Sequence, residues 1–286
     1  MNQRSTPKRV LVLGCTGMVG RSWMELLETK SIPCVGVSRP EFDLMKPDTI
    51  QAHISDQYDL VVNAAAWTDV DGAEADEAGA TRANAHAVDE IAQRCKAIGA
   101  TLMTYSTDYV FSGDADSPYP VDTPIDPINA YGRSKAAGES LLAASDGEHI
   151  LIRTSWVYAP WGSNFVRTIH GLAQNRDELS VVNDQRGRPT SAQVLAKSSL
   201  SLYLHGARGV WHMTDGGECT WFDFASAIVE HDGLDCTVKP CSSDQYPRPA
   251  ARPAYSTLDI SASSALIGEP DHWKKALGRV LDSFTD

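Results

Sequence analysis

The sequence predicts an α/β chain whose first part is a doubly wound parallel sheet, followed by a smaller second region. Short apolar, β-rich runs alternate with amphipathic helical patterns over roughly the first 150 residues. A turn carrying three glycines joins the first strand to the first helix. Of the 286 residues, 42% are hydrophobic, enough for a core that needs neither disulfides nor structural metals. Strands joined through helices imply βαβ units with right-handed crossovers.

The elements follow in order. Residues 10–13 form a buried strand, and 18–28 a helix with Trp23, Leu26 and Leu27 on its apolar side. A second strand spans 34–37, a short helix 48–54 and a third strand 60–62. A long helical pattern runs from 77 to 98 and stops at Gly99, a residue that ends helices in the left-handed conformation. The fourth strand covers 102–106, a helix 131–144 and the fifth strand 149–153. Between them a loop from Thr107 to Ala130 holds four prolines (Pro118, Pro120, Pro124 and Pro127), and loops of that length are usually functional. Beyond residue 155 the alternation weakens. Helices are expected at 164–174, 194–204, 221–231 and 271–282, with short strands at 179–182 and 210–212. The boundaries drawn are therefore 1–155 for the sheet domain and 156–286 for the second region, with return segments to the first allowed.

Composition narrows the function classes. The net charge of −12 argues against a nucleic-acid or anionic-membrane binder, which carries the opposite sign. An anionic small molecule requires a local pocket of Arg, Lys and backbone N–H groups. The six cysteines contain no C-x-x-C pair and the histidines no H-x-x-x-H pair, so no zinc site is expected. No apolar run approaches membrane-spanning length, and glycines interrupt the N-terminal apolar run that would resemble a signal peptide. A cytoplasmic, reduced, soluble protein is expected.

The segment V-L-V-L-G-C-T-G-M-V-G places Gly14, Gly17 and Gly20 after the first strand and across the start of the first helix. Glycine suits this place because the turn needs unusual backbone angles, a pyrophosphate must approach the main chain, and the helix must pack close to the sheet. Free N–H groups and the positive helix end then attract the diphosphate. A carboxylate at the end of the second strand would hold the ribose of NAD. Here that end reads Val37-Ser38-Arg39, which suits a 2′-phosphate and favours NADPH over NADH; the other reading of Arg39 is a solvated surface charge. Asp43 follows closely enough to reach the adenine or ribose.

Tyr131 and Lys135 form Y-x-x-x-K on one helix face, a turn apart. An isolated tyrosine titrates near 10 and is a poor acid at neutral pH. A nearby ammonium favours the phenolate and lowers that value, so Tyr131 can protonate a carbonyl oxygen as hydride reaches its carbon. The fourth strand ends in Ser106-Thr107-Asp108, at the sheet edge where open α/β sheets bind ligands. The Thr107 hydroxyl can share the carbonyl oxygen with Tyr131.

With these residues identified, the chain resembles the dTDP-4-dehydrorhamnose reductases, a family of the extended short-chain dehydrogenases/reductases. The resemblance runs through V-V-N-A-A-A-W-T-D-V-D (61–71), S-T-D-Y-V-F (106–111), Y-G-R-S-K (131–135), R-T-S-W-V-Y (153–158), V-N-D-Q-R-G-R-P-T (182–190), P-A-A-R-P (249–253) and W-K-K-A-L (273–277). It implies a Rossmann-type NADP-binding domain and a C-terminal substrate-binding region. Tyr131, Lys135 and Thr107 then match the catalytic residues, Trp156 the sugar contact and Asp108 another substrate contact; Arg188 and Arg252 complete the implied substrate set. Cofactor contacts fall on Gly14, Thr16, Gly17, Met18 and Val19, on Ser38, Arg39, Asp43 and Leu44, on Ala64, Ala65, Ala66 and Trp67, and again on Tyr131 and Lys135. Trp67 replaces the tyrosine more usual after N-A-A-A. Arg186 and Arg188 either bind a nucleotide diphosphate or form surface ion pairs.

The implied activity is NADPH-dependent reduction, with NADH as a possible substitute, of the 4-keto group of a nucleotide-activated 6-deoxy sugar. The sugar implied is dTDP-4-dehydro-L-rhamnose, and another nucleotide sugar is the alternative. A further reading is a catalytically retired member acting as a regulatory subunit, similar to that of methionine adenosyltransferase; retention of Thr107, Tyr131 and Lys135 argues against it. Related 4,6-dehydratases carry a glutamate base where this chain has Tyr109, and epimerases rank below a simple reductase. No metal ligands are placed, a homodimer is the assembly allowed, and no nucleic-acid or membrane partner is expected.

Overall fold

The computed structural model describes residues 3–284. In chain order come β1 (Val10–Leu13), α1 (Met18–Thr29), β2 (Cys34–Val37), α2 (Pro47–His53), β3 (Leu60–Asn63), α3 (Val70–Ala75), α4 (Glu77–Thr81), α5 (Ala87–Ile98), β4 (Thr101–Thr107), α6 (Ala130–Ala144) and β5 (His149–Thr154). The second part adds β6 (Val157–Tyr158), α7 (Phe165–Ala173), β7 (Glu178–Val182), β8 (Arg186–Gly187), β9 (Thr190–Ser191), α8 (Ala192–Leu204) and β10 (Gly209–His212). It ends with β11 (Cys219–Thr220), α9 (Trp221–His231), β12 (Thr237–Cys241), α10 (Ser261–Ile267) and α11 (Trp273–Asp282).

The centre is a Rossmann-type sheet of six parallel strands in the order β10-β5-β4-β3-β1-β2. The pleat explains its apolar runs. Val10 and Val12 of β1 belong to one face, with Trp23 and Leu27 of α1 and Leu195 and Leu200 of α8. Leu11 and Leu13 belong to the other, with Ile50, Ile91 and Leu142 of α2, α5 and α6. Each such side chain contributes about 1.5–3 kcal/mol on burial, and both faces are covered, as a parallel sheet requires. The buried indole of Trp23 donates to the Tyr105 hydroxyl at 2.6 Å. Because β1 lies between β2 and β3, the loops leaving β1 and β3 diverge and open a crevice at the carboxyl edge.

A separate core gathers Tyr158, Val166, Leu179, Phe224, Ile228, Trp273 and Leu277 from the second part. The strand near 210–212 is present, and it pairs with β5 at the edge of the main sheet. All six cysteines are free thiols. Among the described residues no helix is long and apolar enough to cross a membrane, and no cluster of three or more metal-ligating side chains forms.

The long helical pattern at 77–98 is not one helix. Asp76 leaves helical geometry (φ −141°) and accepts a hydrogen bond from Gly79 N, starting α4 anew. Residues 82–86 then widen into a π-turn before α5. The Asn84 side chain is drawn out of this turn to Trp67 and Ser134. Other elements also depart from the expected pattern: α3, begun by Asp69 capping Gly72 N, α10 and the two-residue strands β6, β8, β9 and β11, and β12, which contains Pro240 and pairs only with β7. Pro is tolerated on such an edge strand.

Gly138 of α6 faces the π-turn, where an added Cβ would run into the Asn84 carbonyl oxygen; Gly171 of α7 has open space around it. Gly138→Ala should therefore cost about 1–3 kcal/mol by overpacking, whereas Gly171→Ala should be neutral or gain up to about 1 kcal/mol. Thermal melts of the two variants check the contrast; equal melting temperatures would show that α6 is free to retreat.

Candidate active site

The crevice begins at the glycine loop. Gly17 is the N-cap of α1, no side chain caps the helix, and its first turn carries no acid. The leading N–H groups of the helix consequently lack intrahelical partners. Gly14 has φ +78°, and a Cβ there would stand 2.8 Å from Ala65 N; at Gly20 it would strike the Gly14 carbonyl. The turn is thus bare backbone with a positive helix end, which fits a diphosphate. Thr16 lies within it, while Met18 and Val19 open the helix.

At the end of β2 the Ser38 hydroxyl accepts from Thr16 N and Thr16 Oγ1, both at 3.1 Å, and so braces the loop. Arg39 beside it is exposed and makes no ion pair among the described residues. Asp43 accepts from Met45 N at 3.0 Å. The Leu44 side chain is buried in the core beside Phe42, leaving only its backbone for a ligand. Ala64 N continues the β3 edge to Leu13 O at 2.9 Å, and Ala65 packs under Gly14. Past Ala66, Trp67 is held at both main-chain groups by the Asn84 amide, at 2.9 and 3.0 Å.

Across the crevice, Tyr131 stands in the first turn of α6, which Asn129 caps through Gly132 N at 2.7 Å. The Thr107 hydroxyl neighbours its phenol and favours the ionised form, and Thr107 Oγ1 donates to Asp108 Oδ1 at 2.9 Å. Thr107 also accepts from Tyr109 N at 3.2 Å, which fixes its rotamer. The ring of Tyr109 meets that of Tyr131 edge-on, 6.0 Å between centroids.

Lys135 is buried and donates to the Tyr105 carbonyl at 3.1 Å. Its pKa falls from 10.5 to about 8 through burial, opposed by Glu139. Glu139 itself is held by Arg153 through a buried bidentate pair, the shortest contact being 2.7 Å. Tyr131 behaves unlike the sequence expectation. Burial, and then Asp108, push its pKa up, with the Thr107 hydrogen bond pulling the other way. Lys135 spends a donor on the main chain, and desolvation is the largest influence on the phenol.

The second wall comes from the C-terminal part. Trp156 has φ +47°, a left-handed conformation that strains a residue bearing a Cβ. Its indole stacks on Trp221 at 3.6 Å and lies against Gly187, where a Cβ would come within 2.8 Å. The two neighbouring arginines differ in their surroundings. Arg186 is exposed and pairs with Glu218 at 3.4 Å. Arg188 is half-buried, its Nε enclosed with no hydrogen-bond partner. Arg252 donates to Asp71 at 2.7 Å and to the Ala250 carbonyl at 2.8 Å, so it enters the site already paired.

Sequence reasoning passed over Asn84, Asn129, Glu139, Arg153 and Trp221. An asparagine in mid-helix was the one available sign for Asn84. The others declare themselves only through partners distant in the chain.

The chain and its fold are similar to those of known proteins. The profile of the family described as RmlD substrate binding domain matches residues 8–286. A dTDP-4-dehydrorhamnose reductase of Burkholderia thailandensis is 39% identical, over 94% of this chain and 97% of its own length. A dTDP-4-keto-6-deoxy-D-glucose reductase of Streptomyces niveus is 38% identical, over 94% of this chain and 95% of its own. Among solved structures, dTDP-4-dehydrorhamnose reductase of Bacillus anthracis in complex with NADP aligns with a TM-score of 0.92 at 32% identity, covering 96% of this chain and 99% of that one.

The buried ammonium yields a stability prediction. A base with a lowered folded-state pKa binds its proton less well folded than unfolded, so stability rises with pH between the two values. For Lys135 the penalty is complete below about pH 8 and fades towards 10.5. Lys135→Met should melt above the wild type near neutral pH and lose that advantage as the solution becomes alkaline, measured by calorimetry without ligand. A variant destabilised near neutrality would show the ammonium to be a net support.

Proposed function

The chain belongs to the RmlD substrate binding domain family, and from that premise we propose an NADPH-dependent oxidoreductase that reduces the 4-keto group of a nucleotide-activated 6-deoxy sugar, converting dTDP-4-dehydro-L-rhamnose to dTDP-L-rhamnose. The observation that carries the reading is the row Tyr131–Thr107–Asp108, joined at its inner end by the Thr107–Asp108 hydrogen bond, which shares the carboxyl edge of the sheet with an uncapped glycine loop.

NADPH, when bound, supplies the hydride that C4 of the sugar accepts. The glycine loop and the start of α1 hold its diphosphate, with Ser38 and Arg39 at the 2′-phosphate and Asp43, Leu44 and Ala64 to Trp67 along the rest. Tyr131 gives its proton to the carbonyl oxygen, and Thr107 polarises the same oxygen as a second donor. Its raised pKa keeps Tyr131 fully protonated until that moment. Lys135 anchors the ribose hydroxyls, and its charge one turn away favours the phenolate that is left. Trp156 packs on the sugar. The unpaired Arg188 takes the substrate diphosphate, because a desolvated cation without a partner gains most from an anion. Asp108 and Arg252 border the sugar. The Streptomyces niveus relative is named for a 4-keto-6-deoxy-D-glucose substrate, so that sugar belongs in the test panel.

Tyr131→Phe should lose about 10²–10⁴-fold in kcat while binding NADPH as before, followed by NADPH absorbance with a panel of nucleotide-linked 4-keto sugars. Near-normal oxidation by this variant would remove Tyr131 from the chemistry. Arg39→Asp should shift preference toward NADH, read as the ratio of kcat/KM for the two cofactors; an unchanged ratio would make Arg39 a bystander.

A further inference from the structure

Asp108 is 2% exposed and has no salt-bridge partner among the described residues. Its Oδ2 is enclosed, and the Ser256 hydroxyl stands beside the carboxyl and favours its charged form. Its Oδ1 accepts from Thr107 at 2.9 Å, and the Thr107 hydroxyl in turn neighbours the phenol of Tyr131, whose ionised form it favours. Three exchangeable groups therefore stand in one row, from the expected position of the sugar oxygen inward to a carboxyl in the protein interior.

We propose that Asp108 is the proton store of the reaction, returning a proton to Tyr131 through the Thr107 hydroxyl each time Tyr131 protonates the sugar. The proposal rests on the reductase reading above and adds a role that a substrate contact alone would not give.

In the acid form, Asp108 donates to Thr107, Thr107 to Tyr131 and Tyr131 to the sugar oxygen. Once C4 has gained the hydride, the carbonyl π pair resides on oxygen, and the Tyr131 O–H bond breaks as the sugar O–H bond forms. The Thr107 proton passes to the phenolate, and the Asp108 proton passes to Thr107. The products are the alcohol, neutral Tyr131, neutral Thr107 and the Asp108 carboxylate, which regains a proton from water after the alcohol leaves. In this final state Thr107 donates to Asp108, which is the arrangement in the structure. Thr107 satisfies both directions, since it keeps one lone pair for Tyr109 N and one for whichever neighbour donates.

The electrostatics agree. Burial pushes the Asp108 carboxyl up to about 6, while Ser256, Thr107 and main-chain N–H groups pull it back. The titratable groups facing it are Tyr131 from α6 and Tyr109 on its own turn; beyond Tyr109 stand the mutually paired Asp71 of α3 and Arg252 of the C-terminal loop.

Asp108→Asn keeps an acceptor for Thr107 but holds no transferable proton. In the wild type, kcat should rise as pH falls through about 6. In D108N that limb should be absent, with kcat lower on the acid side by about 10²-fold and the two profiles converging at alkaline pH. Infrared difference spectra of the protein without ligand should show a carboxylic-acid band titrating near pH 6 that is missing in D108N, a readout independent of turnover. Identical kcat profiles, or a wild-type spectrum without that band, would overturn the proposal alone. A changed KM with an unchanged pH limb would reduce Asp108 to a binding contact. A wild type that binds NADPH yet reduces no nucleotide 4-keto sugar would overturn the reductase reading, and the relay with it.

Discussion

The approach of α6 to the π-turn at 82–86 decides where the chemistry stands. Without a side chain at Gly138, the helix lies directly against the Asn84 main chain. The amide of Asn84 then reaches sideways to bind both Trp67 and Ser134. One contact therefore fixes the loop after β3 and the helix that carries Tyr131 and Lys135. The glycine loop is placed by a similar close approach, Gly14 on Ala65. Packing of this kind is stiff, and side chains on rigid elements keep their aim better than those on loops.

The site accepts electrostatic costs that a purely structural region would avoid. Lys135, Asp108 and Tyr131 are each displaced toward their neutral forms by burial, and Trp156 holds a strained backbone. The Arg153–Glu139 pair beside Lys135 is fully desolvated, with Arg153 also bonded to the Val121 carbonyl. His212 alongside it is driven down to about 4 by burial and by Arg153, so it stays neutral and adds no second charge. Perturbed groups gathered at one sheet edge mark that edge as the working part of the molecule.

The first five strands were legible because strands covered on both faces read as unbroken apolar runs, and β1, VLVL, shows this most plainly. The glycine turn and the Tyr131–Lys135 spacing were equally local. What escaped reading depends on distant partners. The π-turn uses ordinary helical residues and packs against Gly138, more than 50 positions downstream. Pro240 disguised an edge strand. Arg252 looked free to bind a ligand until the fold brought Asp71 to it across a separation of 181 residues. The direction of the Tyr131 shift was also hidden, since spacing reveals a neighbouring charge but not the water removed on burial.

The membership of β10 in the main sheet bears on how the chain matures during synthesis. Until residue 212 has left the ribosome, β5 is an open edge, and the side of α1 later covered by α8 faces water. An unpaired strand beside uncovered apolar surface invites pairing with other nascent chains. The early segment must therefore wait, partly assembled, for its final neighbour, and the late arrival of one short strand makes a sheet that looks N-terminal a product of three quarters of translation.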